Sequence, residues 1–443
     1  MKKNLFVLSA GLAMVLGSCS QSELTETQES SRQIPVLVSS YVPQSTMTRA
    51  GYEGTMTDET LQNQGFGLFA FYSDASTYNG STEPNFMYNQ KVSVSDENEN
   101  WTYSPLKYWP NETANGVVDG KSDKGGATSE GGADCLTFFA YAPYVDVTDL
   151  ENGTVKGTEY GITKITGNAT TGDPKVTYKV ATDPAESVDL LWAVVKDGTT
   201  TWSNVTGTDV NLTPGLPYLN LIKPSVSQTV DLYFRHALTK LNLKIQGAFD
   251  KVDLGGTKDD ATKITVESVE ITGFGGGTDG VLNLNNTDAD TPLWTDVSGT
   301  VDVTLDSKNM NKDIADPASF EKFAELPAGV TATAQNLFQT ESEDDDVAYM
   351  FIPSSKEGDV TVTITYYVTT EDANLKAGYS RIKNVITKKI SKFTAEAGKS
   401  YTLLLGIGMT SVKLTATVAN WEDVEDATQI DLPINVEQTN NDK

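Results

Sequence analysis

The sequence is poor in the side chains that most often build reactive or metal-binding sites. Its 443 residues include two cysteines, Cys19 and Cys135, and a single histidine, His236. A metal site or an acid–base pair needs a cluster of ligands or a partnered base, and one histidine supplies neither. We therefore expect no catalytic residue, no metal site and no cofactor, and we interpret His236 as a packed or capped strand residue.

Two other stretches could in principle hold a ligand, but each lacks the required pattern. The acidic run Glu341–Asp346 has no EF-hand spacing and no turn glycine, so it is interpreted as an exposed loop. Gly275–Gly277 follows a strand but is not part of a GxxxxGK[ST] motif, which disfavours a phosphate-binding loop. The sequence therefore indicates a protein that is not an enzyme.

Positive charge is also scarce. The chain has 33 Lys and Arg against 60 Asp and Glu, which gives a formal net charge of −27. A balance this acidic disfavours nucleic acid and anionic lipid surfaces as partners and favours a soluble, self-repelling surface. We expect no nucleic-acid partner.

Long hydrophobic runs are absent, and the apolar run Leu5–Leu16 is too short to span a membrane well. It follows Lys2 and Lys3 and ends at Leu16-Gly17-Ser18-Cys19, as a bacterial lipoprotein signal peptide does. We interpret residues 1–19 as that signal and Cys19 as the lipidation site. The alternatives are an ordinary secretory signal or an uncleaved helix. If Cys19 is acylated, Cys135 has no disulfide partner and is expected to be a buried thiol.

Helical periodicity is also absent from the sequence. No segment of twelve or more residues shows it convincingly. Short runs rich in Val, Thr and aromatic residues alternate instead with turn residues, which predicts an all-β fold. The length favours more than one domain, and prolines cluster between residues 213 and 224. We predict two β-sandwich domains in tandem, 50–228 and 229–426, with a bulge near His236.

The first and last strands have a common pattern. Gln33–Val38 and Asp431–Val436 both read polar, branched, Pro, β-branched, any, Val. Two such strands could occupy the same groove, although the last strand could equally pair within its own domain. The apolar positions are Ile34, Val36 and Val38 in the first strand and Ile430, Leu432, Ile434 and Val436 in the last.

Arg49 lies in the loop after the first strand. Its neighbours Thr48, Ala50 and Gly51 make the backbone accessible to a protease. Cleavage after Arg32 would leave the strand in place, whereas cleavage between Arg49 and Ala50 would remove it. Residues 20–49 are therefore interpreted as a tether and a removable strand, and residues 427–443 as a C-terminal extension that donates a strand.

Several blocks, in this order, make the chain resemble the fimbrillins, the subunits of Bacteroidales type V pili. Each block is short, but they form an ordered set, and the resemblance as a whole runs from the signal peptide to the last strand. They are Thr48–Ala50, Gly65–Ala70, Tyr108–Pro110, Leu136–Pro143, Asp189–Ala193, Phe234–Leu238 and Trp421–Glu422.

The resemblance implies transthyretin-like β-sandwich domains and a structural pilus subunit that supports cell adhesion at the outer membrane and cell surface. It implies lipoprotein export, removal of the N-terminal strand by an Arg-specific protease, and its replacement by a neighbour's C-terminal strand. The implied partners are other pilus subunits, in a homopolymer or with different subunits, and the outer membrane through the lipid on Cys19 before processing. A host or bacterial surface ligand is a further implied partner.

Two alternatives remain open. The chain could be a tip or anchor subunit of the same pilus, because the blocks do not separate these roles. It could instead be a surface lipoprotein that binds glycan without polymerising, with Trp101, Tyr103, Tyr108 and Trp109 lining the sugar site. Such aromatic residues are more often core or hairpin packing, and we favour that interpretation.

Overall fold

The structure is a computed structural model and describes most of the chain between residues 34 and 431. The described ranges are 34–42, 55–110, 117–118, 121–122, 134–247, 261–421 and 430–431, with short gaps at 75, 96–99, 158, 205–207, 287–291, 318, 340–346, 355 and 409–410. Strands dominate these ranges, so the all-β prediction is confirmed.

The described helical residues belong to α1 (Asp58–Gln64) and to 3₁₀ turns at Pro184–Glu186 and Phe323–Glu325. Helix α1 escaped the sequence analysis because it spans only two turns. It begins at a capping box in which Thr57 and Thr60 exchange hydrogen bonds, although threonine replaces the usual Glu or Gln of that motif.

The strands of the first half alternate with turns at short spacing. They are β1 (Leu37–Tyr41), β2 (Phe66–Ser73), β3 (Met87–Val94), β4 (Trp101–Thr102), β5 (Val117–Val118), β6 (Lys121–Ser122), β7 (Cys135–Ala142), β8 (Val147–Asp149), β9 (Thr154–Val155), β10 (Gly161–Ile165), β11 (Lys175–Lys179), β12 (Leu191–Val195), β13 (Thr201–Trp202), β14 (Val210–Asn211), β15 (Tyr218–Ile222) and β16 (Thr229–His236).

The second half contains the longest strands. They are β17 (Thr239–Gly247), β18 (Thr262–Thr272), β19 (Asp279–Asn283), β20 (Trp294–Ser298), β21 (Val303–Leu305), β22 (Gln335–Asn336), β23 (Tyr349–Phe351), β24 (Gly358–Glu371), β25 (Tyr379–Phe393), β26 (Lys399–Ile407), β27 (Val412–Asn420) and β28 (Ile430–Asp431).

The sheet that positions the candidate site has the order β1-β16-β12-β7-β2-β3-β4, and β15 also pairs with β7. Every residue of β7 and β12 is buried, which explains their nearly continuous apolar sequences. Side chains on one face of β7, such as Phe138, pack in a core with Phe66 and Phe234. Side chains on its other face, such as Phe139, join a second core that extends into the second half of the chain.

The remaining large sheets have the orders β20-β19-β11-β10-β9-β8, β22-β17-β26-β27-β28 with β23 also on β17, and β21-β18-β24-β25. The first of these combines strands from before and after residue 228, because β11 pairs with β19 in antiparallel register. The two halves of the chain therefore exchange strands rather than each keeping its own sheets. The division of the chain at 228 stays a prediction.

The chain changes sheets between His236 and Thr239. Strand β16, placed at the start of the second domain by the sequence analysis, hydrogen-bonds to β12 and β1 of the first sheet. Strand β17 then pairs with β26 in the other half. The predicted bulge near His236 is wrong. The alternation breaks there because Ala237 and Leu238, both fully buried, carry the chain from one sheet to the next.

We expect Phe234→Ala to destabilise the fold strongly. Phe234 is fully buried, and its ring centroid lies 5.2 Å from that of Phe66. The truncation leaves a cavity beside β16 and should lower the free energy of unfolding by about 3–5 kcal/mol. Denaturant titration measures this loss. The matched control is Val226→Ala, because Val226 is 68% exposed and should change stability by less than about 0.5 kcal/mol.

Candidate functional site

The segment Ile34–Val42 lies at the edge of the first sheet and is held on two sides. Strand β1 runs parallel to β16, from Leu37 opposite Thr229 to Tyr41 opposite Tyr233. The other pairs along this sheet are antiparallel. On its other side, Val36 N–H donates to the Lys107 carbonyl at 2.9 Å, and Trp109 N–H donates to the Ile34 carbonyl at 2.9 Å. The segment therefore fills a groove between β16 and residues 107–109.

One face of the segment is part of the protein core. Ile34, Val36, Val38 and Val42 have exposed fractions of 8, 0, 5 and 0% and pack in the core that contains Phe234. Three of these are the residues predicted for the removable strand. The pairing sets Val38 beside Val230 and Ser40 beside Leu232, so side chains of β16 form the floor of the groove.

Ser40 is the one mismatch on this inner face. Its hydroxyl oxygen is buried and has no hydrogen-bond partner among the described residues. A buried polar group without a partner costs free energy, because it loses its hydrogen bonds to water. The strand that fills the groove is therefore less well matched at Ser40 than at its valines.

The outer face of the same pair carries polar and aromatic contacts. Ser39 Oγ donates to Asp231 Oδ1 at 2.5 Å. The rings of Tyr41 and Tyr233 stack with centroids 5.8 Å apart, and Lys196 Nζ lies 5.2 Å from the Tyr41 centroid. These contacts fix which residue of β1 faces which residue of β16.

Both ends of the segment are attached to neighbouring elements. Val42 N–H donates to Asp58 Oδ1 at 2.6 Å, which ties the strand to helix α1. Burial raises the pKa of Asp58, and the hydrogen bond from Val42 partly opposes that rise. The Tyr103 hydroxyl donates to the Val36 carbonyl at 2.7 Å. Burial raises the pKa of Tyr103 to about 12, so this donor stays protonated at neutral pH.

Most of the other predicted site residues lie outside the described ranges. These are Cys19, Arg49, Ala50, Leu432, Ile434 and Val436. Ile430 is described as part of β28, where it pairs with Val418 of β27, while Asp431 pairs with Thr417. The start of the predicted donor strand is therefore hydrogen-bonded within its own chain.

A buried cluster around His236 was not foreseen. His236 Nδ1 lies 2.7 Å from Asp189 Oδ2, and both side chains have no exposed surface. The Asp189 carboxylate also accepts a hydrogen bond from Met56 N–H at 2.9 Å. The imidazole stacks on the indole of Trp421, with centroids 4.1 Å apart and planes 3° from parallel. Sequence reasoning could place His236 in a strand, but not find partners 47 and 185 residues away (189 and 421 against 236).

This cluster joins three parts of the chain. Thr55 Oγ1 accepts a hydrogen bond from Lys240 Nζ at 3.1 Å, and that ammonium lies 5.6 Å from the Trp421 centroid. The cluster therefore connects residues 55–56 with His236 at the end of β16 and with Trp421, which precedes the C-terminal segment. Its arrangement supports a structural role, because the fully buried imidazole is held between a carboxylate and an indole ring.

The aromatic residues proposed for a glycan site do not form an exposed platform. Tyr103 and Trp109 are buried, and the Trp101 ring packs against Phe66 with centroids 5.3 Å apart. Tyr108 is the most exposed of the four, at 44%. The interpretation of Tyr103 and Trp109 as core residues is confirmed.

A cleft of about 430 Å³ elsewhere on the molecule is lined by Glu267, Asp316, Phe320, Tyr367 and Arg381, among others. Arg381 and Asp316, two of its charged residues, are paired with each other. Arg381 Nη2 lies 2.6 Å from Asp316 Oδ1, and its guanidinium lies 3.6 Å from the Tyr367 centroid. Among the residues that the structure describes, no group of three or more His, Cys, Asp or Glu is arranged to hold a metal ion. The same residues include no helix long and apolar enough to cross a membrane.

Comparison with known proteins identifies the family. The profile of the fimbrillin-like family matches residues 132–421, which is most of the chain, so the protein belongs to that family. It is 28% identical to the fimbrium subunit Fim1C of Phocaeicola vulgatus, over 98% of this chain and 99% of that protein. The crystal structure of a fimbrial protein from Bacteroides vulgatus has the same fold, with a TM-score of 0.57, 22% identity and coverage of 88% of this chain and 100% of that one.

The resemblance seen in the sequence is thus confirmed. Fimbrillins are structural proteins of cell-surface appendages rather than enzymes, and they contact other subunits of the fimbria. The site with which such a protein works is a surface for another chain. Among the described residues, the groove occupied by Ile34–Val42 is our candidate for such a surface.

We expect Val36→Asp to weaken the packing of residues 34–42 in the groove. Val36 has no exposed surface, so the new carboxylate would be an uncompensated buried charge that costs about 3–5 kcal/mol. Faster amide hydrogen exchange over residues 34–42 reports the loosened strand. Leu37→Asp is the matched control, because Leu37 is the next residue, lies on the opposite face and is 37% exposed. Equal effects of the two substitutions would contradict the assigned faces.

We also expect the thiol of Cys135 to be unreactive in the folded protein. Burial and the neighbouring Asp134 raise its pKa to about 11. At pH 8 only about 0.1% is thiolate, against roughly 20% for an ordinary cysteine. Titration of protein lacking residues 1–19 with a thiol reagent at pH 8 should show reaction only after denaturant is added. Fast reaction in native buffer would contradict the burial.

Proposed function

We propose that this chain is a pilus shaft subunit that polymerises by strand exchange. In this proposal it is exported as a lipoprotein through Cys19 and cleaved between Arg49 and Ala50. Release of Ile34–Val42 then opens the groove, and the C-terminal strand of a neighbouring subunit takes its place. The observation that carries the proposal is the seating of this segment, which runs parallel to β16 at the edge of an otherwise antiparallel sheet with its apolar face in the core.

Removal of the segment would uncover a strongly apolar surface. Val230, Leu232 and Phe234 on β16 have at most 1% of their surface exposed while the segment is in place. Water in contact with such a surface is unfavourable, and exposed apolar patches of this kind mark sites of protein–protein contact. An emptied groove therefore favours any strand that restores the burial.

The predicted donor strand has the composition to do so. Four apolar side chains contribute roughly 1.5–3 kcal/mol each on burial, or about 6–12 kcal/mol in total. Ladder hydrogen bonds add roughly 0.5–1.5 kcal/mol apiece, and the ordering of the strand subtracts from this sum. Because the chain has a net charge of −27, two copies repel each other, so strand insertion and apolar packing must hold the joint.

The contacts on either side of the cleavage loop support the same sequence of events. Thr55 and Met56 are held by the buried Lys240 and Asp189, so the part of the chain that follows the loop is anchored independently of β1. Once the loop is cut, only noncovalent contacts keep Ile34–Val42 in place. When that strand leaves, Thr55 and Met56 keep their own contacts with the remainder.

Polymerisation in vitro tests the proposal. Protein lacking residues 1–19 is treated with an Arg-specific protease, its new N-terminus is sequenced, and unboiled samples are run on a denaturing gel over several days. We expect Ala50 as the new N-terminus and ladders of high mass that disappear when residues 428–443 are deleted. Arg49→Ala should abolish the ladders, whereas the control Arg32→Ala should leave them unchanged.

Other outcomes would assign a different role. Cleavage at Ala50 without ladders would favour a tip-like subunit, in keeping with the pairing of Ile430 and Asp431 within their own sheet. A chain that resists cleavage at Arg49 and stays monomeric would overturn polymerisation and favour an anchor subunit or a glycan-binding lipoprotein.

A further inference from the structure

The residues around the groove distinguish between possible alignments of the incoming strand. This inference rests on the proposed function. We infer that the neighbour's C-terminal strand enters two residues out of step with its sequence match to the first strand. In this shifted register Ile430, Leu432, Ile434 and Val436 replace Ile34, Val36, Val38 and Ser40. In the matched register, which the common Pro pattern suggests, Leu432, Ile434 and Val436 replace Ile34, Val36 and Val38.

The Ser40 position separates the two registers. Its side chain points to the inner face beside Leu232, and its buried hydroxyl has no partner among the described residues. The shifted register places Val436 there, which removes an unsatisfied polar atom and adds apolar contact with the floor of the groove. The matched register places Gln438 there and would bury a longer polar side chain at a site that offers it no hydrogen bond.

Asp231 is the second discriminating residue. It faces Ser39 and accepts the hydrogen bond from the serine hydroxyl. The shifted register sets Asn435 opposite Asp231, and an amide N–H₂ can donate to the carboxylate in the same way. The matched register sets Glu437 there, and two carboxylates directly opposite each other in a strand pair repel.

The third discriminating position is that of Tyr41, at the end of the pair. Lys196 Nζ lies 5.2 Å from the Tyr41 centroid, and Arg235 lies near the facing Tyr233, at 6.0 Å from its centroid. The shifted register brings Glu437 to this position, beside Lys196, while Arg235 is already paired with Asp197 at 3.2 Å. The matched register brings Thr439, which has no charge to pair with Lys196. The glutamate that is repelled in one register is attracted in the other.

The shift has three costs. Gln438 replaces buried Val42, a cost shared with the matched register, which puts Asn440 there.

Two further costs belong to the shift alone. The shift places Pro433 at the Leu37 position, where the amide faces β16, because Val36 N–H faces Lys107 and successive amides alternate in direction. One ladder hydrogen bond is lost, but Leu37 is the first residue of β1, where proline is tolerated. Ile430 and Asp431 must also give up their pairing with two residues of β27 before they can enter the groove.

Charge substitutions at Glu437 distinguish the registers by the sign of their effect. Protease-treated protein lacking residues 1–19 is followed by the rate of ladder formation. In the shifted register, Glu437→Lys brings a lysine against Lys196 and should slow joining by about 5-fold. Combining Glu437→Lys with Lys196→Glu should restore the rate. Asp442→Lys makes the same charge change beyond the groove in either register and serves as the control.

Engineered disulfides test the alignment directly. The pair Asp231→Cys with Asn435→Cys should crosslink neighbouring subunits in the ladders, because directly opposed residues fall within disulfide reach. The pair Asp231→Cys with Glu437→Cys should not. Cys135 is buried and is therefore not expected to form crosslinks of its own.

The outcomes are distinct. Faster joining by Glu437→Lys, together with a crosslink between positions 231 and 437, would overturn the shift and establish the matched register. A crosslink from neither pair, or unchanged rates for every variant, would overturn the inference that these residues align the strand. Cleaved wild-type protein that forms no ladders would instead overturn the proposed function itself, before any variant is compared.

Discussion

The burial of one strand's apolar side chains against β16 is the contact on which the rest of this structure depends. Ile34, Val36, Val38 and Val42 complete a core that the other strands of the first sheet leave open. Because hydrophobic burial is non-directional, any strand with suitable alternation can complete it, whichever chain supplies that strand. In the proposed assembly the same groove would be filled first by the chain's own strand and then by a strand of a neighbouring chain.

The sequence predicted the strand content, the buried face of the first strand and the family, because each depends on local alternation or on short ordered blocks. Ile34, Val36 and Val38 could be assigned to one face by period two alone. Their neighbours could not, since the parallel pairing with β16 joins residues nearly two hundred positions apart. The crossing at Ala237 looked like a bulge for the same reason: a break in alternation does not reveal whether the chain bends within a sheet or leaves it.

Charge has two separate roles in this molecule. The net charge of −27 makes copies of the chain repel each other, and this repulsion acts over roughly the Debye length of about 10 Å at 0.1 M salt. Around the groove, by contrast, Asp231 and Lys196 act at short range, 2.5 Å from Ser39 Oγ and 5.2 Å from the Tyr41 centroid. In the proposed joint, local charges would set the alignment of the incoming strand while the global charge would oppose the approach of two subunits, so added salt should weaken both effects.

The stack of His236 on Trp421 has a mechanical consequence. His236 ends β16, the strand that would grip an incoming neighbour, and Trp421 precedes the segment that would reach out to the next one. In a fibre joined through these two ends, tension would enter each subunit and leave it at nearly the same buried point. The load would then pass across an aromatic stack and the adjoining Asp189 contact, and most of the β-sandwich framework would carry little of it.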